Sequence, residues 1–224
     1  AAKTMRYRQG WKALNRLLHL DRSFSGREAN RAFLNTEQVR FADISAVSGL
    51  DFLDDARAVG VADWDFDGDL DIISLVSQEW EEIYCYVNDG SGNFQMKLLW
   101  GSDNEDFGSS GIYLYDLNQD GRLDILYANG DAFDYIPPEG RPWHGLQWFE
   151  NKGDLNFEYH RLCDLVWAYS LRPADADLDG DLDLYVANYM TFRPEDNQDC
   201  YQAGVRAYCA PMTYPGQSGI LYRN

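Results

Sequence analysis

The sequence predicts an all-β chain of propeller-type four-stranded blades, about three in number with the last incomplete, behind a short N-terminal helix. Three observations carry this. An acidic nonapeptide recurs three times, a β-type apolar run follows each copy, and a hairpin signal running from Asn to Phe repeats out of phase with them. The resulting unit is strand, acidic loop, strand, connection, strand, hairpin, strand. Four antiparallel strands per ~50–60 residues is the anatomy of a propeller blade.

The first element is the N-terminal segment, residues 1–31. Trp11, Leu14, Leu17 and Leu18 fall on one face of a helix over Trp11–Leu20. Lys3, Arg6, Arg8, Lys12, Arg16, Arg22, Arg27 and Arg31 make this segment basic in an otherwise acidic chain. Two readings stand: a helix packed on the sheets, or a basic arm that docks on an acidic neighbour.

Residues 32–224 hold the repeats. They open with the outer half of one unit, Ala32–Asn35 and Arg40–Ile44. Strands are expected before each loop at Ala58–Ala62, Gly111–Tyr115 and Ala168–Leu171, and after each at Ile72–Ser77, Ile125–Ala128 and Leu184–Ala187. Asn35, Asn88 and Asn151 are each followed six residues later by Phe41, Phe94 and Phe157, with turn-forming residues between. The last unit stops at its hairpin, Leu221–Asn224, without a fourth strand. Three explanations compete: the chain is a piece of a longer protein, the N-terminal segment supplies the strand, or a neighbouring molecule does so and makes an oligomer or filament.

The nonapeptides carry the chemistry. They are Asp63-Trp64-Asp65-Phe66-Asp67-Gly68-Asp69-Leu70-Asp71, Asp116-Leu117-Asn118-Gln119-Asp120-Gly121-Arg122-Leu123-Asp124 and Asp175-Ala176-Asp177-Leu178-Asp179-Gly180-Asp181-Leu182-Asp183. Their formal charges are −5, −2 and −5, so −12 of the chain's −18 sits in them. Oxygen donors recur at positions 1, 3, 5 and 9, Gly at 6 and Leu at 8. Position 7 (Asp69, Arg122, Asp181) is expected to add a backbone carbonyl, which is why Arg is tolerated there. A flexible oxygen-rich loop suits Ca²⁺, whereas Mg²⁺ prefers a tighter octahedron with retained waters. So many carboxylates without a cation would repel and raise one another's pKa. Three calcium sites are therefore expected. An EF-hand is excluded, because position 12 is Ser74, Tyr127 and Val186 rather than Glu, and strands rather than helices follow.

Composition narrows the partners. With 15% aromatic and 45% hydrophobic residues the acidity does not mean disorder. Nucleic acid and anionic membrane surfaces are disfavoured by the net charge. No apolar run approaches the ~20 residues of a membrane span, and no signal peptide is visible, although an Ala1-Ala2-Lys3 start fits a processed product. Cys200 and Cys209 lie in an insert between Asn188 and Leu221, where a local disulfide is expected and would imply an oxidising compartment. Cys85 and Cys163 read as buried free thiols, with a pair between adjacent blades as the alternative.

The acidic loops with their following strands, and the Asn-to-Phe hairpins, resemble the FG-GAP/VCBS repeats of integrin α-subunit-like propellers. The run from Cys200 through Ala207–Pro211 to Leu221–Asn224 is similar to bacterial proteins of the ASPIC/UnbV, cartilage-acidic-protein-like group. The resemblance spans about Ala29–Asn224 and implies an extracellular or cell-surface calcium-binding β-propeller serving adhesion or scaffolding. The departure is length, since such propellers usually have seven blades.

Catalysis is not expected. His19, His144 and His160 are scattered, and neither HExxH, GxSxG nor a phosphate-cradling Gly loop occurs. The alternative to a structural or adhesive role is a lectin-like module, with Trp100, Tyr135 and the Trp143–Trp148 run as platforms for sugar rings. The competing use of those rings is packing between blades.

Overall fold

The computed structural model describes residues 29–36, 40–53, 56–77, 81–104, 107–129, 142–165, 168–188, 198–207 and 209–223, together with residues 9, 191 and 196. The expected helix at Trp11–Leu20 lies outside the described residues, as do Tyr135 and, apart from Gln9, the rest of the basic arm up to Glu28.

The described chain is mostly β, in small antiparallel sheets of which none closes on itself. A hairpin, β1 (Phe33–Asn35) and β2 (Phe41–Asp43), leads into a one-turn helix α1 (Ser45–Ser48), which Gly49 ends in the left-handed region at φ 78°. The first four-stranded sheet follows in the order β3 (Ala56–Ala62), β4 (Asp71–Ser77), β5 (Glu81–Asn88), β6 (Phe94–Gly101). The second repeats it with β7 (Gly111–Tyr115), β8 (Asp124–Asn129), β9 (Gly145–Gly153) and β10 (Asn156–Asp164). The third has three strands, β11 (Ala168–Ala174), β12 (Asp183–Asn188) and β15 (Ile220–Tyr222). Between β12 and β15 the insert forms its own hairpin, β13 (Cys200–Gln202) and β14 (Val205–Ala207), which the sequence reading did not anticipate.

Each acidic loop joins the first and second strands of its sheet at one register. Ala62 faces Asp71, Tyr115 faces Asp124, and Ala174 faces Asp183. The residue before position 1 is thus paired with position 9 every time.

Packing follows from the apolar pattern. On the first sheet Ile73 and Leu75 pair with Cys85 and Ile83, and this face meets Ile112, Ile125, Tyr127 and Phe149 of the second sheet. The opposite face of the second sheet presents Leu126, Ala128 and Leu146 to Ala168, Leu171 and Val186 of the third. β8 is therefore buried on both sides at all six positions. That is why its middle, Ile125–Ala128, is a continuous apolar run rather than an alternation. Each such Ile or Leu contributes roughly 1.5–3 kcal/mol of burial. Gly60 lets β3 approach β7, since a Cβ there would stand 2.6 Å from Leu114 Cδ1.

Cys200 and Cys209 form the expected disulfide across the insert, with Cα atoms 5.1 Å apart. Cys85 and Cys163 are free thiols. Burial pushes Cys85 up to about 12. No helix among the described residues is long and apolar enough to cross a membrane.

Candidate metal centres

The three loops share one backbone path. Position 4 is left-handed in each (Phe66 φ 63°, Gln119 φ 58°, Leu178 φ 64°), as is the position 6 Gly (φ 98°, 89° and 98°). For a non-Gly residue that region costs on the order of 1 kcal/mol, which must be recovered by what the loop holds. The recovery begins with hydrogen bonds common to all three loops. The Gly N–H donates to the position 1 carboxylate: Gly68 to Asp63 at 3.1 Å, Gly121 to Asp116 at 2.8 Å, Gly180 to Asp175 at 3.2 Å. The position 7 N–H donates to position 5, Asp67, Asp120 or Asp179, at 2.9, 2.9 and 3.0 Å.

Position 9 is the anchor. Asp71, Asp124 and Asp183 are buried. Each accepts the N–H of position 2, from Trp64 at 2.9 Å, Leu117 at 3.0 Å and Ala176 at 3.2 Å. The second oxygens of Asp71 and Asp124 accept the backbone N–H of Asn88 and Asn151, both at 2.8 Å. Those are the hairpin Asn residues of the sequence pattern. Each also donates its amide to the position 8 carbonyl, Leu70 at 3.2 Å and Leu123 at 3.1 Å, and accepts the N–H of the Gly two residues on. The hairpin Asn therefore ties the turn between the last two strands to the acidic loop of its own sheet. Burial pushes the Asp124 carboxyl up, against the pull of the Asn151 and Leu117 N–H groups.

The hairpin Phe has a packing role. Phe157 stacks on Trp64, the buried position 2 residue of the first loop, with ring centroids 5.7 Å apart.

Positions 1, 3 and 5 are half-buried or exposed at the sheet ends. In the first loop Asp63, Asp65 and Asp71 bring one carboxylate oxygen each to within 4.8 Å of one another, and in the third Asp175, Asp177 and Asp179 do the same. Asp63 Oδ1 is buried without a hydrogen-bond partner. A carboxylate oxygen in that condition is costly unless a cation meets it. Partial burial, then the charges of Asp71 and Asp67, push Asp65 up from its ordinary value. The carboxylate oxygens of the first loop fit a hard cation with oxygen ligands.

The second loop differs. Asp116 Oδ1 accepts the Asp120 N–H at 2.9 Å, and Asn118 donates at 3.1 Å to both Asp120 Oδ2 and Glu150 Oε1. In the third, Asp175 Oδ1 accepts the Asp179 N–H at 3.1 Å, and Arg223 lies 3.6 Å from Asp177.

Side chains at position 7 run along the hairpin. Asp69 lies over Gly90, where a Cβ would stand 2.4 Å from its Oδ2, and Arg122 Nε donates to the Asn151 carbonyl at 2.8 Å.

One cluster escaped sequence reading: Glu150, Glu158 and His160 on β9 and β10. Strand alternation places Glu158 and His160 on one face, but only the β9–β10 register brings Glu150 opposite Glu158. Lys152 Nζ sits 2.7 Å from Glu150 and 3.0 Å from Glu158, and His160 Nε2 lies 2.9 Å from Glu150. Lys152 and then His160 hold the Glu150 carboxyl down. The cluster already has its cation.

Three of the aromatic residues considered for sugar binding, Trp100, Trp143 and Trp148, have ring or core partners. Trp100 meets Phe107, Tyr127 and Phe149 at centroid distances of 5.1, 6.0 and 5.2 Å between the first two sheets. Trp143 packs on the same core, and Trp148 stacks on His160 at 4.6 Å.

Comparison with protein-family models and with curated proteins finds no match.

Proposed function

We propose that this chain is a calcium-binding β-propeller-repeat module of the FG-GAP/VCBS type, with a structural or adhesive role outside the cell. The observation that carries the calcium reading is the first loop, where Asp63, with one oxygen buried and unpartnered, is gathered with the carboxylates of Asp65 and Asp71. The shared backbone of the three loops extends the reading to all of them. Ca²⁺ would be held by positions 1, 3, 5 and 9 and the position 7 carbonyl. It would neutralise the sheet ends and lock each loop to its hairpin.

Two further features support the rest of the reading. The sheets are successive meanders whose first strands lie side by side, β3 against β7 and β7 against β11, as blades around an axis would be. The disulfide fits an oxidising compartment. A binding role also suits the outer face of the first sheet, where Val59, Val61, Met96 and Leu98 are each more than half exposed. An apolar sheet face of this kind suits a further blade, a second copy in an oligomer or filament, or a surface protein or glycan-bearing partner.

Equilibrium dialysis of the metal-free chain against radioactive calcium tests the proposal. Two or more ions retained per chain support it. A chain that retains none at millimolar calcium rejects it.

A further inference from the structure

The three loops have one backbone but do not present equal sites to a cation, and the difference lies in Arg122. Its guanidinium folds back onto the position 5 carboxylate, with Nη2 against Asp120 Oδ2, while Nε is held by the Asn151 carbonyl at 2.8 Å. Both oxygens of Asp120 are engaged inside the loop: Oδ1 accepts the Arg122 N–H at 2.9 Å, and Oδ2 takes the guanidinium and the Asn118 amide. Asn118 is engaged at both ends: its N–H₂ donates to Asp120 Oδ2 and Glu150 Oε1, and its Oδ1 accepts the Asp120 N–H at 3.2 Å. The first and third loops carry −5 each and gather three carboxylates; the second carries −2.

We infer that the second loop is closed by the chain's own cation. Arg122 takes the charge-neutralising place that calcium takes in the other two, so the protein has two tight calcium sites and one weak site gated by Arg122. This rests on the calcium reading above. Entry of calcium into the second loop must displace a charge-assisted hydrogen bond from a guanidinium and free Asn118 Oδ1 from the Asp120 N–H. Calcium affinity in such loops depends on ligand charge count; the side-chain ligands of the second loop carry −3 against −4 in the other two, and with the competing Arg122 cation a loss of at least about tenfold is expected. The physical gain is that Asp116–Asp124 keeps its shape at calcium levels where the other loops empty.

The test titrates the metal-free full chain with calcium against a chromophoric chelator. Wild type is expected to bind two equivalents tightly and a third at least about tenfold more weakly. Arg122→Gln, which keeps the backbone carbonyl, is expected to strengthen the third equivalent about tenfold. The converse variant Asp69→Arg places a guanidinium beside Asp67 and is expected to move one tight equivalent into the weak class, so the inference stays testable if Arg122→Gln folds poorly. Three equivalent sites in wild type, an unchanged third site in Arg122→Gln, or undiminished tight binding in Asp69→Arg would overturn it. Loss of all calcium binding in wild type would reject the calcium reading itself, whereas three equal sites reject only the role of Arg122.

Discussion

Asp124 and Asp65 belong to equivalent loops, yet one is a buried hydrogen-bonded anchor and the other an exposed carboxylate beside its neighbours. Asp124 is buried and accepts two backbone N–H groups, from Leu117 at 3.0 Å and Asn151 at 2.8 Å. Asp124→Asn replaces one accepting oxygen with a donor, so one buried N–H faces an N–H₂. Losing a hydrogen bond to a charged acceptor costs about 1.5–3 kcal/mol, and the orphaned donor adds to that. Burial already disfavours the charge on Asp124, so neutralising it returns part of the loss. The net expectation is about 2–3 kcal/mol, roughly 4–12 °C for a domain of this size. Asp65 is exposed, and it is pushed up by partial burial and then by the charges of Asp71 and Asp67. Asp65→Asn relieves that repulsion, so the metal-free variant should melt at or slightly above wild type. With calcium the order reverses for Asp65→Asn, because a ligand has been weakened. The assay is thermal unfolding by circular dichroism of both variants, in chelator and in calcium. Asp124→Asn melting with wild type in chelator, or Asp65→Asn falling as far as Asp124→Asn there, would refute the division into anchor and ligand.

Other outcomes follow from the same geometry. Gly180→Ala meets open space but sits at φ +98°, so it should cost about 1–2 kcal/mol by denaturant titration, from backbone conformation alone. Reducing Cys200–Cys209 should loosen β13–β14 by about 2–3 kcal/mol on the chain-entropy model, with faster hydrogen exchange confined to the insert and the main melting transition unmoved. The metal-free protein should be most stable at mildly acid pH. Asp65 is pushed up, so its contribution improves as pH falls towards the unfolded carboxylate value. Asp43, Asp89 and Glu150 are held down by their hydrogen bonds, so theirs is lost as pH falls through their folded values. A melting series from pH 7 to pH 3 should therefore rise and then fall, with its maximum at roughly pH 4–5. A monotonic decline would contradict the repulsion assigned to Asp65.

The acidic loops were legible in the sequence because side-chain oxygens at fixed offsets and a Gly at the left-handed turn are local requirements. The strands beside them were legible from apolar runs of strand length. What was missed is long-range. The hairpin Asn residues were recognised by their spacing to the following Phe, whereas Asn88 and Asn151 bond to Asp71 and Asp124, which precede them. Strand pairing sets that partnership, and no offset along the chain encodes it. Arg122 was read as a tolerated bystander because position 7 lends only its carbonyl. Its side-chain path depends on the Asn151 carbonyl, which the β8–β9 register brings near. The Glu150–Glu158–His160 cluster likewise exists only through the β9–β10 pairing. The β13–β14 hairpin was hidden because Tyr201–Arg206 carries little apolar alternation, and the adjacent disulfide closes it.

The central claim is that calcium completes the loops, and scanning calorimetry of the full chain with and without calcium tests it most directly. Each site filled at a hundred times its dissociation constant adds about 2.7 kcal/mol. Two tight sites should then raise the melting temperature by roughly 10–20 °C, with the increment growing as the logarithm of calcium concentration. Superimposable transitions in chelator and in millimolar calcium would contradict the account.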